Sequence, residues 1–250
     1  MAHQVDHAYP FVVAGNRDEF HARPTQDAHW WPDNPDVLGG RDLQAGGTWL
    51  ALHRNGRFAT VTNFRDAQRP TGHLASRGHL VTDFLDGDAS PLDFIAGIDG
   101  KRYGGFNLLV ADDKKLAYLS NRNGEIRELP PGIYGVANAA LDTPWPKVER
   151  SKAALVALLT TDAINETNLL RLLDDRQKSR VDEVEADNLP FDKAHALTAP
   201  FIVLPDYGTR CSTIVVRDAS GSVRMTEKRF AATGESVGQS DFQFSVANFS

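Results

Sequence analysis

The sequence predicts an α+β protein built on antiparallel sheets. Three observations carry that expectation. Strand and helix signals come in blocks and do not alternate, which argues against a doubly wound parallel sheet. Turn residues separate β-favouring runs at three places, Asn55-Gly56, Asp112–Lys115 and Ala219–Gly221, and mark hairpins. Several short runs are apolar at every position, as in strands buried on both faces.

The elements follow in order. Phe11–Ala14, after Tyr9-Pro10, is a continuous apolar run and is read as a buried strand. Trp49–His53 and Arg57–Asn63 flank Asn55-Gly56 as the first hairpin. Ser76 is placed to cap a helix reaching Asp86, with Leu80, Val81, Phe84 and Leu85 on one stripe. Ser90-Pro91 starts a second helix, Leu92–Ile98, with Ser as N-cap and Pro at the first helical position. Phe106–Ala111 and Leu116–Ser120 form the second hairpin, and Ile126–Leu129 and Ile133–Ala137 add two short strands. Pro146–Thr160 is the longest helix, periodic at Val148, Leu155, Val156 and Leu159, and Glu166–Asp174 follows with Leu169, Leu170, Leu172 and Leu173. Arg176–Ala199 loses periodicity and is expected to be a surface excursion. Ser212–Arg217 and Ser222–Arg229 form the third hairpin, and Phe242–Val246 is a weaker last strand. No linker and no fixed-period repeat interrupts the chain, so a single domain over residues 1–250 is expected.

Composition narrows the function. The chain has 250 residues, 41% hydrophobic and 24% charged, enough for a core without covalent staples. A net charge of −6 disfavours a broad basic face for nucleic acid and binding to an anionic membrane surface. The one cysteine, Cys211, allows no internal disulfide and no Cys-rich zinc site, and fits a reducing compartment. Met1–His7 lacks the basic and apolar regions of a signal peptide, and no run approaches the roughly 20 apolar residues of a membrane-spanning helix. A cytoplasmic location is the expectation. His3 and His7 fall in a start read as flexible, and no HExxH, GxSxG or GxGxxG pattern occurs, so no metal site is expected.

The conspicuous feature is Gly15-Asn16-Arg17-Asp18-Glu19, directly after the buried run. On a strand, Asn16 and Asp18 share one face and Arg17 and Glu19 the other. Four polar groups ending a buried strand must be satisfied. They are either an internal network that fixes the strand end or a delivery of Arg17 and Asp18 into a cleft. Asn63 in Thr62-Asn63-Phe64-Arg65, Asn138 in Gly135-Val136-Ala137-Asn138 and Arg210 in Tyr207-Gly208-Thr209-Arg210 also stand at strand ends. Each alone reads as a turn former or a structural arginine. Cys211, beside Arg210, reads as a small buried hydrophobe.

These segments together resemble the NRDE family, also called the transport and Golgi organisation 2 family. The resemblance runs through VVAGNRDEFHARP (Val12–Pro24), GGTWLAL (Gly46–Leu52), VTNFR (Val61–Arg65), LVTDFL (Leu80–Leu85), GFNLLV (Gly105–Val110), YGVANAALDTPWPKV (Tyr134–Val148) and YGTRCSTIV (Tyr207–Val215). The family resembles the N-terminal-nucleophile hydrolases, in the cysteine branch that cleaves linear amides. That implies a four-layer αββα sandwich and a small-molecule amide substrate, with no cofactor required. It implies that Arg17 and Asp18 orient a nucleophilic N-terminus. Asn63 and Asn138 would serve the oxyanion region, and Arg210 would support the nucleophile.

One departure matters. Family members usually begin Met-Cys followed by a short apolar strand, whereas this sequence begins Met1-Ala2-His3-Gln4. Two explanations are open: the Met-Cys strand lies upstream and the N-terminal strand here is incomplete, or the protein is a non-catalytic member. AHQVDHAYP aligns with the stretch just after the missing strand, which favours the first. The resemblance also implies two other roles. One is a carrier for haem or an acyl-CoA-type lipid, for which Trp30, Trp31 and Trp49 are the aromatic candidates, although each reads first as an ordinary core or rim residue. The other is a purely structural or trafficking role without a ligand.

Overall fold

The computed structural model describes residues 1–65, 74–184 and 188–246. In chain order the elements are β1 (Ala2–His3), β2 (Phe11–Phe20), β3 (Thr25–Trp31), β4 (Asn34–Asp42), β5 (Leu50–His53), β6 (Phe58–Asn63), α1 (Gly78–Asp86) and α2 (Pro91–Ala96). They continue as β7 (Phe106–Ala111), β8 (Leu116–Ser120), β9 (Glu125–Leu129), β10 (Gly132–Ile133), α3 (Pro146–Thr160), α4 (Glu166–Leu173), α5 (Phe191–Ala196), β11 (Tyr207–Arg217), β12 (Ser222–Phe230) and β13 (Ser236–Ser245). The architecture is α+β with two antiparallel sheets and few helices. No helix among the described residues is long and apolar enough to cross a membrane. The chain divides into two compact units.

The first unit comprises Met1–Arg23, Ile133–Gly135 and Asp142–Gln243. Its sheet has six strands in the order β10-β1-β2-β11-β12-β13. β2 and β11 lie side by side from Phe11↔Arg217 to Phe20↔Tyr207. Val12 and Ala14 alternate with Ile214 and Val216 onto one face, where Leu155 of α3 and Leu169 and Leu173 of α4 pack on them. The helices form where the sequence predicts them. Pro146 occupies the first turn of α3, and the Asn165 side chain caps α4 by accepting from Asn168 N at 3.0 Å.

Four expectations are corrected here. The strand read as Phe11–Ala14 continues to Phe20, because β11 supplies polar partners for residues 16–19. The start read as flexible holds Ala2 and His3 buried in β1, with Ala2 opposite Val12, while His7 is exposed. The strand read as Ile133–Ala137 shrinks to β10, since Gly135 turns out of the ladder and exchanges hydrogen bonds with Asp142. The excursion at 176–199 contains α5 and a 3-10 turn at Val181–Glu183, with Ala194, Ala196 and Ala199 buried; residues 185–187 lie outside the described residues. Six helical residues are too few to display a period.

The second unit comprises Pro24–Gly132, Val136–Leu141 and Phe244–Ser250. Its sheet is an antiparallel run of seven strands in chain order, β3 to β9. One face carries Ala59, Val61, Leu108, Val110, Ala117 and Leu119, on which Leu80, Val81, Phe84 and Leu85 of α1 and Ile95 of α2 close the core. The hairpin at Asn55-Gly56 has Gly56 at φ +90°, the left-handed position that ends a three-residue loop. Ser90 caps α2 as expected, accepting from Asp93 N. Ser76 does not cap α1, whose N-cap is Arg77 without a side-chain bond.

β3 and β4 carry no strand signal that the sequence reading recognises. β3 lies at the sheet edge, and β4 is interrupted by Pro35 and Gly39-Gly40. Those glycines answer to packing: a Cβ on Gly39 would meet Leu50 O at 2.7 Å, and one on Gly40 would collide with the Trp49 ring. Trp31 is buried and donates to Gly39 O at 3.0 Å, while Trp30 lies between Arg54 and Phe244. All three tryptophans are engaged in packing.

Arg57 closes the C-terminal end of α1. Its Nη2 donates to Phe84 O at 2.8 Å and Ala89 O at 2.9 Å, its Nε donates to Phe84 O at 3.2 Å, and the guanidinium stacks 3.8 Å from the Phe84 ring. Arg57→Met keeps the stem and removes these bonds and the charge at the helix C-terminus. The expected loss is about 2 kcal/mol, seen as a lower urea midpoint at unchanged slope.

Candidate functional site

The first group of polar residues grows from β2 and β11 in the first unit. Thr209 lies opposite Asp18 and Cys211 opposite Arg17, so Arg210 is the extra residue of a β-bulge. A bulge re-aims side chains. Here Thr209 Oγ1 donates to Asp18 Oδ1 at 2.7 Å and accepts from Ile202 N at 2.9 Å. Tyr207 OH donates to the Asp18 carbonyl at 3.1 Å. Burial pushes the Asp18 carboxyl above the usual carboxylate range, and the Thr209 bond, the Lys147 charge and the Arg17 charge pull it back. The carboxylate therefore stands in a desolvated place with two cations and one hydroxyl favouring its charged form.

Lys147 is itself buried, on the first turn of α3. Its Nζ donates to Leu197 O at 3.0 Å and lies 5.5 Å from the Trp145 ring. Asn16, on the face it was expected to share with Asp18, spends its carboxamide on structure. It donates to Leu173 O and Pro200 O, both at 2.9 Å, and accepts from Ser212 Oγ at 2.6 Å.

The opposite face of β2 and β11 is also polar. Arg17, Cys211, Thr213, Glu227 and Arg229 follow one another across three strands by register. Glu227 is 1% exposed, and its carboxylate lies 3.8 Å from Arg229. Burial, and then the Glu227 charge, raise the Cys211 thiol well above its ordinary value, with Arg17 opposing. A thiol so placed is protonated and shielded, which suits a packing role and not a nucleophile. Arg210 turns away from this face: its Nη1 reaches the carbonyls of Phe20, His21 and Arg23 at 3.0–3.3 Å, clasping the turn that follows β2.

The second group lies in the second unit. Asn63 ends β6 with its side chain exposed. Asn138 Nδ2 donates to Asn63 O at 3.0 Å, and Asn138 O accepts from Arg65 N at 2.6 Å. An amide nitrogen carries two hydrogens, so Asn138 keeps a second donor. Around it, Thr62 Oγ1 donates to Ala137 O at 2.9 Å, Asn107 Nδ2 donates to Ala139 O at 2.8 Å, and Tyr118 OH accepts from Leu141 N at 2.9 Å.

The structure thus leaves Arg17 and Asp18, neighbours in sequence, on opposite faces of β2 in the first unit, and brings Asn63 together with Asn138 in the second. It sets Arg210 on main-chain carbonyls of the first unit. Sequence reasoning passed over Thr209 and Lys147, although both lie inside quoted segments, YGTR and PWPKV. It also passed over Thr62, Asn107 and Tyr118; a lone Asn inside the apolar run Phe106–Ala111 is the kind of signal that finds them. Among the described residues no group of three or more His, Cys, Asp or Glu could hold a metal ion.

Comparison with known proteins gives a consistent match. The family model described as Transport and Golgi organisation 2 matches residues 1–232. The bovine Transport and Golgi organization protein 2 homolog is 36% identical over 242 residues, covering 88% of this chain and 87% of that one. The human homolog is 35% identical over 249 residues with the same coverage. The Drosophila melanogaster Transport and Golgi organization protein 2 is 27% identical over 245 residues, covering 88% and 86%.

Proposed function

This chain belongs to the Transport and Golgi organisation 2 family, and we propose that it carries the amide-cleaving scaffold of a cysteine N-terminal-nucleophile hydrolase, with the four-layer αββα arrangement of that class. The observation that supports the reading is Asp18. A carboxylate held on a buried strand by Thr209, with Arg17 and Lys147 close enough to favour its charge, is suited to orient an amine and a nucleophile. In the reaction a thiolate adds to the amide carbonyl and the amine leaves with a proton. Water then hydrolyses the thioester and restores the thiol. Asn138, with its remaining amide hydrogen, and Asn63 would stabilise the oxyanion. Arg210 would act indirectly, by holding the turn after β2.

The nucleophile is not in the sequence at hand: residue 2 is alanine, and Cys211 is a buried, protonated thiol. The reading places the cysteine beside an initiator methionine upstream. Determining the coding sequence before Met1 tests this. An in-frame Met-Cys followed by a few apolar residues supports the hydrolase; an in-frame stop sinks it.

In such a full-length protein, Asp18→Asn is expected to lower release of amine from a linear N-acyl amide on the order of 10²-fold, with the circular dichroism spectrum unchanged. Equal turnover would remove Asp18 from the mechanism. The alternative is a carrier for haem or an acyl-CoA-type lipid; of its aromatic candidates Trp31 is buried, whereas Trp30 and Trp49 are half-buried against Phe244 and Gly40. Titration of the purified protein with either ligand decides it: saturable micromolar binding favours the carrier, and no binding retires it.

A further inference from the structure

The second unit contains a polar device that the family-level reading does not use. β6, β7 and β8 are neighbours, with Thr62 opposite Asn107 and Tyr118 opposite Leu109. Side chains on a strand alternate, so Thr62, Asn107 and Tyr118 share one face. It is the face opposite the one that Val61, Leu108, Val110, Ala117 and Leu119 turn toward α1 and α2. Asn107 and Tyr118 are almost fully buried there. A buried phenol and carboxamide are costly unless satisfied, and here they are satisfied in sequence. Tyr118 OH donates to Asn107 Oδ1 at 2.7 Å, and Asn107 Nδ2 also approaches Thr62 Oγ1 at 3.4 Å.

The outer ends of this row all fall on one short segment. Thr62 takes the carbonyl of Ala137, Asn107 the carbonyl of Ala139, and Tyr118 the N–H of Leu141. Every second residue from 137 to 141 is thereby held by a side chain from a different strand. The segment forms no strand of its own, so these bonds stand in for a sheet ladder. Asn138 sits between two of the held residues and is the one whose side chain turns to β6, at Asn63 O.

We propose that Thr62, Asn107 and Tyr118 are positioning residues for Asn138, fixing the backbone on either side of it so that its carboxamide keeps one orientation. The proposal deepens the amide-hydrolysis reading, since it is there that Asn138 has a chemical task. A carboxamide that must meet a developing oxyanion is useful only if its supports prevent it from turning. The row is built for that: its hydrogen bonds go to Ala137, Ala139 and Leu141, the residues around Asn138.

The test uses nuclear magnetic resonance of the whole protein, with the Asn138 side-chain amide assigned, in wild type, Tyr118→Phe, Thr62→Val and Thr62→Ser. The expected result is that Tyr118→Phe and Thr62→Val speed exchange at the Asn138 side chain and the Leu141 amide by about tenfold, the equivalent of one lost hydrogen bond. Exchange in β4 and β5 stays unchanged, and Thr62→Ser, which keeps the hydroxyl, behaves as wild type. The proposal is overturned if Asn138 is unaffected in both variants, if Thr62→Ser behaves as Thr62→Val, or if exchange rises equally throughout the sheet. Turnover of an N-acyl amide, assayed in the protein extended by the upstream Met-Cys that the hydrolase reading requires, forms a separate arm. If it is present, Tyr118→Phe should lower kcat at unchanged KM. Its absence in wild type as well would count against the hydrolase reading and leave the resonance result to decide the positioning role.

Discussion

Asn16→Ala is expected to cost about 3 kcal/mol of stability, among the largest effects of a single substitution outside the apolar core. The carboxamide joins four stretches of chain: β2 on which it sits, the end of α4 at Leu173 O, the segment before β11 at Pro200 O, and β11 itself through Ser212. Alanine leaves two main-chain carbonyls and one hydroxyl without these partners in a partly buried place. Each lost bond is worth roughly 1 kcal/mol, and the stranded groups add desolvation. For a chain of this length the melting temperature should fall by about 6–12 °C. Ser212→Ala removes only the Ser212 bond and should cost about 1 kcal/mol. The double variant should then cost less than the sum, because Ser212 and Asn16 are direct partners. A loss under 1 kcal/mol for Asn16→Ala would show that water replaces the carboxamide, and would make this residue of the motif available for another task.

The same residue shows what was legible in the sequence and what was not. The polar tetrad after an apolar run was visible, as was the requirement that it be satisfied. For Asn16 the means of satisfaction were not visible, because they lie on the end of α4, the segment before β11 and β11 itself, 157 to 196 residues away. No local pattern can report a partner at that distance. Helix α3 was legible to the residue, since Pro146 marks its start and the apolar period is local. β7 and β8 were legible for the same reason: each is a short, mostly apolar run buried on both faces. β3 and β4 were not, because their glycines serve the Trp49 ring and the Leu50 backbone, which are packing facts. Among site residues, Arg17 and Asp18 stood out by their place on a strand. Lys147 did not, since a lysine on the first turn of a helix reads as solvated surface until its ammonium is found on Leu197 O.

Thr209→Val is expected to cost about 3 kcal/mol at neutral pH and measurably less in acid. Thr209 is 1% exposed, and its hydroxyl is the only polar atom of its side chain. It receives the N–H of buried Ile202 and gives its own hydrogen to Asp18. Valine has the same shape and strands both groups, so the loss is one of hydrogen bonding and not of volume.

The pH dependence follows from Asp18. Its folded-state value is raised above 3.8 by burial, so the folded state holds its proton more tightly than the unfolded chain. That contribution to stability is complete below 3.8 and is lost as pH rises through the folded value, leaving a destabilising charged carboxyl at neutrality. The Thr209 hydroxyl limits this penalty by bonding to the charged form. Without it the carboxyl rises further, and the gap between wild type and Thr209→Val should widen from pH 4 to pH 7. Asp18→Asn supplies the control. It removes the charge, so it should be more stable than wild type at pH 7, with the difference shrinking toward the acid limit. In an Asp18→Asn background the Thr209→Val cost should no longer depend on pH across this range. Denaturant midpoints of the four proteins at several pH values decide the matter. A Thr209→Val cost that is flat with pH in the wild-type background would mean that Asp18 is not charged at neutrality, and would remove the ionised carboxylate on which the hydrolase reading depends.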